Sequence, residues 1–236
     1  MIKIESQSYG DILQENFHDS YYNLTTKTLM LLKWYNQKCS HVPYLLKCDD
    51  DVFLNTKKLH NFVSTITVDD VLIGYLFCGI KPVRFKMHKW YVPEFVYSED
   101  TYPPYVAGFG YLMSSSAAQK LFWAARHVPW FLWEDVYLTG MVAQAAGITP
   151  EDHNDFYYFH CTQIDACIYS QIILAPNLMI NDITRLTRGV ENLDEVECRN
   201  RGVLQKRPQV HCPKTKVLNW RTGASEKKNV LLMYNG

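Results

Sequence analysis

The chain has 236 residues, with 24 lysines and arginines against 24 acids, so its formal net charge at pH 7 is zero. A hydrophobic fraction of 47% against 20% charged residues excludes a disordered chain, and the length fits one sizeable core better than two. Zero net charge removes the basic excess with which a dedicated nucleic-acid reader neutralises phosphates.

Along the chain, Ser20 to Lys38 reads as an amphipathic helix, with Leu24, Thr28, Leu31 and Tyr35 at helical spacing. The short apolar run Tyr44 to Cys48 reads as a buried parallel strand, and three aspartates follow it directly. Asn55 and Thr56 can cap a helix carrying Leu59, Phe62, Val63 and Ile66. Val71 to Phe77 reads as a strand and Lys89 to Tyr97 as an extended aromatic stretch. Ser114 caps a helix with Ala118, Leu121, Phe122 and Ala125 on one face. Another helix opens near Glu134 and stops at Gly147, with Pro150 beyond it. Phe156 to Phe159 and Ile168 to Leu174 read as strands, and a last helix runs from Pro176 to Gly189. Strands alternating with helices indicate an α/β layer architecture with a mainly parallel sheet.

Residues 1–190 therefore form the expected domain, and 191–236 a charged tail. The tail opens on the acids Glu191, Asp194, Glu195 and Glu197 and turns basic from Arg199 to Lys228; it reads as a solvated charge run ahead of a binding arm. The seven cysteines form no C-x-x-C pair, which speaks against a structural zinc site and leaves buried thiols and disulfides both open. No stretch reaches the roughly 18 to 20 apolar residues that span a bilayer, and Met1 to Gly10 lacks a signal-peptide core. Asn23-Leu24-Thr25 is an N-glycosylation sequon.

Three segments carry chemistry. Asp49, Asp50 and Asp51 stand at the carboxyl end of a predicted strand, where open α/β sheets bind ligands. Adjacent carboxylates repel unless a cation neutralises them, and hard oxygen donors suit Mg²⁺ or Mn²⁺; the competing reading is a solvated acidic turn. Glu134 and Asp135 open a helix, where carboxylates serve as caps but also as fixed, ionised bases. Tyr102 to Tyr111 is aromatic, stiffened by Pro103 and Pro104, with Gly108 and Gly110 permitting close approach to a ligand. Lys89, Trp90 and Tyr91 could line the same cleft, although an aromatic trio is more often core.

In this order the segments Tyr9 to Thr28, Lys47 to Asn55 (KCDDDVFLN), Lys89 to Val92 (KWYV), Tyr102 to Tyr111 (YPPYVAGFGY) and Glu134 to Tyr137 (EDVY) are similar to glycosyltransferase family 31, the β1,3-galactosyltransferase and β1,3-N-acetylglucosaminyltransferase group. The resemblance implies a GT-A fold, a UDP-sugar donor, a glycan acceptor on glycoprotein or glycolipid, a manganese or magnesium ion, and a type II membrane enzyme facing the Golgi lumen. It implies inverting transfer of galactose or N-acetylglucosamine, with Asp49 and Asp51 on the metal motif, Asp135 as catalytic base, and Asp50, Trp90, Tyr105, Gly108, Gly110 and Glu134 around donor and acceptor. The family's first nucleotide-binding strand falls before Met1, so the domain is expected to be N-terminally truncated. The family's metal-binding histidine has no counterpart in Ile168 to Pro176, and His153 and His160 come too early. The alternative expectation is a non-catalytic member that binds glycans or helps a transferase fold.

Overall fold

The computed structural model describes residues 2–158, 164–193, 198 and 212. Its centre is a four-stranded sheet in the order β1 (Tyr44–Cys48), β4 (Tyr105–Ser114), β3 (Leu72–Phe77), β5 (Glu151–Asp152). Strand β4 runs antiparallel to both β1 and β3, while β5 is parallel to β3. The sheet is thus mixed, not mainly parallel as the strand–helix alternation predicts. The alternation is right about β1 and β3, which share a direction and are joined through α3 (Thr56–Val63). The sequence pattern missed β4, which enters between them in the opposite sense.

Because β4 is central, it is covered on both faces, and its side chains part between them with a change of phase between Phe109 and Tyr111, where the register against β3 shifts. Tyr111 and Met113 enter one hydrophobic cluster, with Leu72, Leu76 and Leu121. Ala107, Phe109 and Leu112 enter a second, with Ile73, Phe156 and Leu174. Helices α2 (Leu24–Lys38) and α4 (Ser115–Ala124) pack together against the first face. Helix α2 follows a 3₁₀ turn, Tyr21–Asn23, and buries Thr25, Thr28, Leu32 and Tyr35, a face rotated slightly from the expected one. Helix α1 (Ile2–Tyr9) buries nothing. Asn55 and Ser114 cap α3 and α4 by accepting from the Lys58 and Ala117 amides, as their sequence positions predict.

Past Glu134 the chain forms a π-helix, Val136–Val142, continuing into α5 (Ala143–Ala146) and ending on Gly147 in the left-handed region. All seven π-helical residues are buried. Gly140 permits this, since a Cβ there would lie 3.2 Å from that of Tyr105. The predicted extended stretch from Lys89 to Tyr97 is instead a turn-rich loop, in which Arg84 draws the Val92 and Tyr97 carbonyls inward.

The strand expected over Ile168 to Leu174 is replaced by α6 (Ala166–Tyr169) and the short β6 (Leu174–Ala175), which pairs with β2 (Phe53–Leu54). Asp165 accepts from the amides of Cys167 and Ile168, and this cap overrides the β-branched composition. Phe156 makes only an isolated bridge to Leu174, and Phe159 lies outside the described residues. The helix expected from Pro176 to Gly189 is α7, Ile180–Glu191. Gly189 is not its stop: a Cβ there would lie 2.9 Å from that of Ala166, so the glycine serves α6–α7 contact.

Two disulfides join Cys78 to Cys212 and Cys167 to Cys198. The tail's acids Asp194, Glu195 and Glu197 and its basic stretch lie outside the described residues. Among the described residues no helix is long and apolar enough to cross a membrane.

Candidate active site

Register brings the site together. In the β1–β4 ladder Lys47 lies opposite Tyr111 and Cys48 opposite Gly110, so the acidic triplet emerges beside Phe109 and Gly108. The Asp49 amide extends the ladder by donating to the Phe109 carbonyl at 3.0 Å. All three aspartates are exposed at the end of β1. The main-chain carbonyl of Asp51 accepts from the Leu178 amide at 3.0 Å, which anchors the turn.

On the other side, Asp135 caps the π-helix. Its Oδ1 accepts from the Val136 amide at 2.8 Å, and its Oδ2 from the Gly108 amide at 3.2 Å. Thr139 Oγ1 donates to the Asp135 carbonyl at 2.6 Å and accepts from the Val106 amide at 3.0 Å, tying this turn to β4. π-helical turns of this kind are frequent at functional sites. Burial pushes the Asp135 carboxyl above the usual carboxylate range, against the pull of these amides and of Lys47.

Glu134 is buried. It accepts from Tyr111 Oη at 2.5 Å, and Thr28 also bonds its carboxylate. Burial raises its pKa, with Lys47 opposing and Asp135 adding to the rise. Glu134 therefore joins α2, β4 and the π-helix at one point, and its oxygens are committed within the protein.

Lys47 occupies the space between the two acidic segments. Its side chain is 14% exposed, and Nζ pairs with Asp49 Oδ1 at 2.7 Å and donates to the Gly108 carbonyl. Burial alone would lower its pKa, but Glu134, Asp49 and Asp135 together outweigh burial and raise it. One cation thus balances carboxylates from both segments, and Gly108 touches Lys47 through its carbonyl and Asp135 through its amide. Sequence reading names Gly108, Asp49 and Asp135 but misses Lys47, Tyr111, Thr28 and Thr139. An inward lysine one pleat before an acidic run is the available signal for Lys47.

The remaining predicted residues are placed less centrally. Gly110 faces Leu174 and Cys48: a Cβ there would meet Leu174 Cδ1 at 2.7 Å, so the space already belongs to the core. Tyr105 is buried against Phe77 and Tyr102, and both its own burial and the charge on Asp135 raise its pKa. Trp90 is exposed on the β3–β4 loop and donates from Nε1 to Tyr21 Oη at 3.0 Å. Tyr21 packs in turn against Trp133, the residue before Glu134. Asn23 donates from Nδ2 to the His18 carbonyl at 2.7 Å. His153 packs against the Phe62 ring in a tilted arrangement, and His160 lies outside the described residues.

Among the described residues no group of three or more His, Cys, Asp or Glu side chains is gathered to hold a metal. Mg²⁺ does not need such a cage, because one or two carboxylates suffice when substrate phosphates and water complete its shell. Exposed carboxylates at a strand end match that donor set, Asp49 having 45% of its side chain exposed despite its pairing with Lys47.

Residues 1–154 match the sequence family described as galactosyltransferase. Similar proteins include the UDP-GlcNAc:betaGal beta-1,3-N-acetylglucosaminyltransferase 7 of Rattus norvegicus, 36% identical over 76% of this chain and 47% of that protein. The lactosylceramide 1,3-N-acetyl-beta-D-glucosaminyltransferase of Homo sapiens is 37% identical over 72% of this chain and 46% of its own length. Beta-1,3-galactosyltransferase 2 of Homo sapiens is 32% identical over 83% and 47%. The chain spans about half the length of the curated relatives it matches.

Proposed function

The chain belongs to the galactosyltransferase family, and from that premise we propose that it carries the catalytic half-sites of a UDP-sugar-dependent β1,3-hexosyltransferase with a GT-A-type fold. Its reaction is transfer of galactose or N-acetylglucosamine to a hydroxyl of a glycoprotein or glycolipid glycan, with inversion. The observation that carries this reading is the link between the acidic triplet and Asp135: Lys47 bonds both Asp49 and the Gly108 carbonyl, while the Gly108 amide holds Asp135.

Asp135 takes the proton from the acceptor hydroxyl as that oxygen attacks the anomeric carbon and the UDP oxygen departs from the opposite face. A carboxyl pushed up by burial suits this role, since a base is most effective with its pKa close to the working pH. The amides of Gly108 and Val136 fix both carboxylate oxygens, so the base needs no reorientation in the transition state. Lys47 turns Asp49 toward the site, and Glu134 holds Lys47 by charge from behind. Asp49 and Asp51 are the residues to hold Mn²⁺ or Mg²⁺, which when bound neutralises charge on the diphosphate leaving group. Asp50 borders the donor side, while the exposed Trp90 presents aromatic surface toward the sugars.

Two disulfides favour an oxidising compartment. With the sequon at Asn23 they support placement on the lumenal side of the Golgi membrane.

The test is UDP release with Mn²⁺, UDP-galactose or UDP-N-acetylglucosamine and a panel of β-galactoside acceptors. Asp135→Asn should abolish turnover and leave UDP binding intact, whereas Asp51→Ala should weaken metal-dependent UDP binding. Turnover that survives both substitutions removes the assigned roles; binding without turnover in the parent chain favours the non-catalytic alternative.

A further inference from the structure

Trp90 belongs to a connected group of rings. Its Nε1 donates to Tyr21 Oη at 3.0 Å, and its amide donates to His88 Nδ1 at 3.1 Å, which fixes the turn that carries it. Tyr21 meets Tyr22 edge to face with ring centres 6.0 Å apart, and both tyrosines pack on Trp133, at 6.1 and 6.4 Å. Trp133 is buried, whereas Trp90, Tyr21 and Tyr22 are 48%, 43% and 55% exposed. Half-exposed rings from the β3–β4 loop and from the 3₁₀ turn before α2 thus share one buried support, two residues before Asp135.

A cation rests on this group. Lys89 Nζ lies 4.1 Å from the centre of the Tyr21 ring and 6.0 Å from that of Trp90. Lys89 is exposed and has no carboxylate partner among the described residues, and no acid occurs from Gly79 to Pro93. An ammonium group held only by ring faces keeps its hydrogen-bond donors for a ligand. Apolar faces edged by a phenol, an indole N–H and an ammonium group match a sugar, which offers C–H bonds on its face and oxygens around its rim. A neutral sugar gives Lys89 hydroxyls alone, whereas an acidic one also supplies the missing counter-charge.

We propose that these rings form a subsite for an acidic sugar of the acceptor glycan, beyond the sugar whose hydroxyl reacts at Asp135, with Trp90, Tyr21 and Tyr22 against the sugar ring and Lys89 on its sulfate or carboxylate. The subsite rests on the reading of Asp135 as the base for a glycan acceptor. Its distance from the base fits a second or third sugar. The step from Trp133 to Asp135 spans at most ~7 Å of chain, and the tyrosine rings lie a further 6.1 and 6.4 Å from the Trp133 ring. That is too far for the sugar touching Asp135 and within the length of a short oligosaccharide. Lysine suits either acid, because its ammonium is a point charge that demands no planar partner.

The experiment is calorimetric binding of β-galactoside oligosaccharides to the full chain in three forms: neutral, sulfated and carboxylate-bearing. The chain is first freed of Asn-linked glycan, because the sequon at Asn23 adjoins Tyr22. At least one acidic form should bind about five-fold tighter than the neutral one, and the form that gains identifies the acid. The gain should shrink as salt is raised. Lys89→Gln should remove the gain and leave neutral binding unchanged, while Trp90→Ala should weaken every form about five-fold. Both side chains are exposed, so the melting curves should stay those of the parent. Absence of binding, equal binding of all three forms, a gain that survives Lys89→Gln, or binding unchanged in Trp90→Ala overturns the subsite. Acid-selective binding without UDP release removes the reaction assigned to Asp135 and keeps the subsite; turnover without acid preference does the reverse.

Discussion

Replacing Lys47 with methionine keeps the stem of the side chain and removes the charge that Asp49, Glu134 and Asp135 face. Asp49 is half in water and loses little by the change. Glu134 is buried, and its hydrogen bonds from Tyr111 and Thr28 do not replace a positive charge. Lys47 acts on Glu134 through space, without an ion-pair contact, so removing it costs less than the roughly 3–5 kcal/mol of a broken buried pair, on the order of 1–3 kcal/mol. In a protein of this size that corresponds to a melting point lower by roughly 5 °C.

The cost carries a pH signature. Lys47 lowers the pKa of both Glu134 and Asp135, so without it both carboxyls rise further above their ordinary values. A carboxyl whose folded-state pKa is raised favours folding in its protonated form. That contribution is complete below the unfolded pKa and is lost as pH rises through the folded one. The deficit of Lys47→Met should therefore be largest at neutral pH and shrink toward acid, where both carboxyls are protonated in either state. Urea unfolding of parent and variant across a pH series measures this directly. A deficit independent of pH, or one below about 1 kcal/mol at neutrality, would refute the claim that Lys47 neutralises buried carboxylates.

Three further outcomes are expected. In Gly108→Ala the new Cβ would lie 3.3 Å from that of Asp135 and 3.4 Å from its Oδ2; turnover should fall roughly ten- to a hundred-fold at nearly unchanged stability, seen in kcat beside a melting curve. With Asp135 as base, kcat/KM should rise with pH through a midpoint above the usual carboxylate range, because burial raises that pKa, and the limb should move higher still in Lys47→Met. The Cys78–Cys212 bridge closes a sequence separation of 134, so Cys212→Ser should destabilise the chain by about 4–5 kcal/mol in non-reducing denaturant titrations.

How far the sequence could be read depends on whether a signal is local. The caps at Asn55 and Ser114 and the left-handed stop at Gly147 were legible because each is settled within a few residues. The Asp165 cap is equally local, but the isoleucines that follow it carry the opposite, strand-like signal. Strand direction was not legible: an apolar run such as Tyr44 to Cys48 looks the same beside a parallel or an antiparallel neighbour, and only the return of β4 between β1 and β3 decides. The π-helical register of Val136–Val142 has no composition of its own, and it depends on Gly140 meeting Tyr105 and on Thr139 binding Val106.

The candidate site divides in the same way. Residue type and spacing by themselves determined the acidic triplet, the Glu134-Asp135 pair, the glycine-bearing aromatic segment and the family they resemble, since each is contiguous in the chain. Tertiary structure alone decided that Lys47 joins the triplet to Asp135 through Gly108, that Glu134 is held from within, and that Gly110 belongs to the core. The physical reason is that a buried charge acts over distance in space and is balanced by whatever the fold brings near it. Sequence order records which groups are present, and packing settles which carboxylate meets which cation.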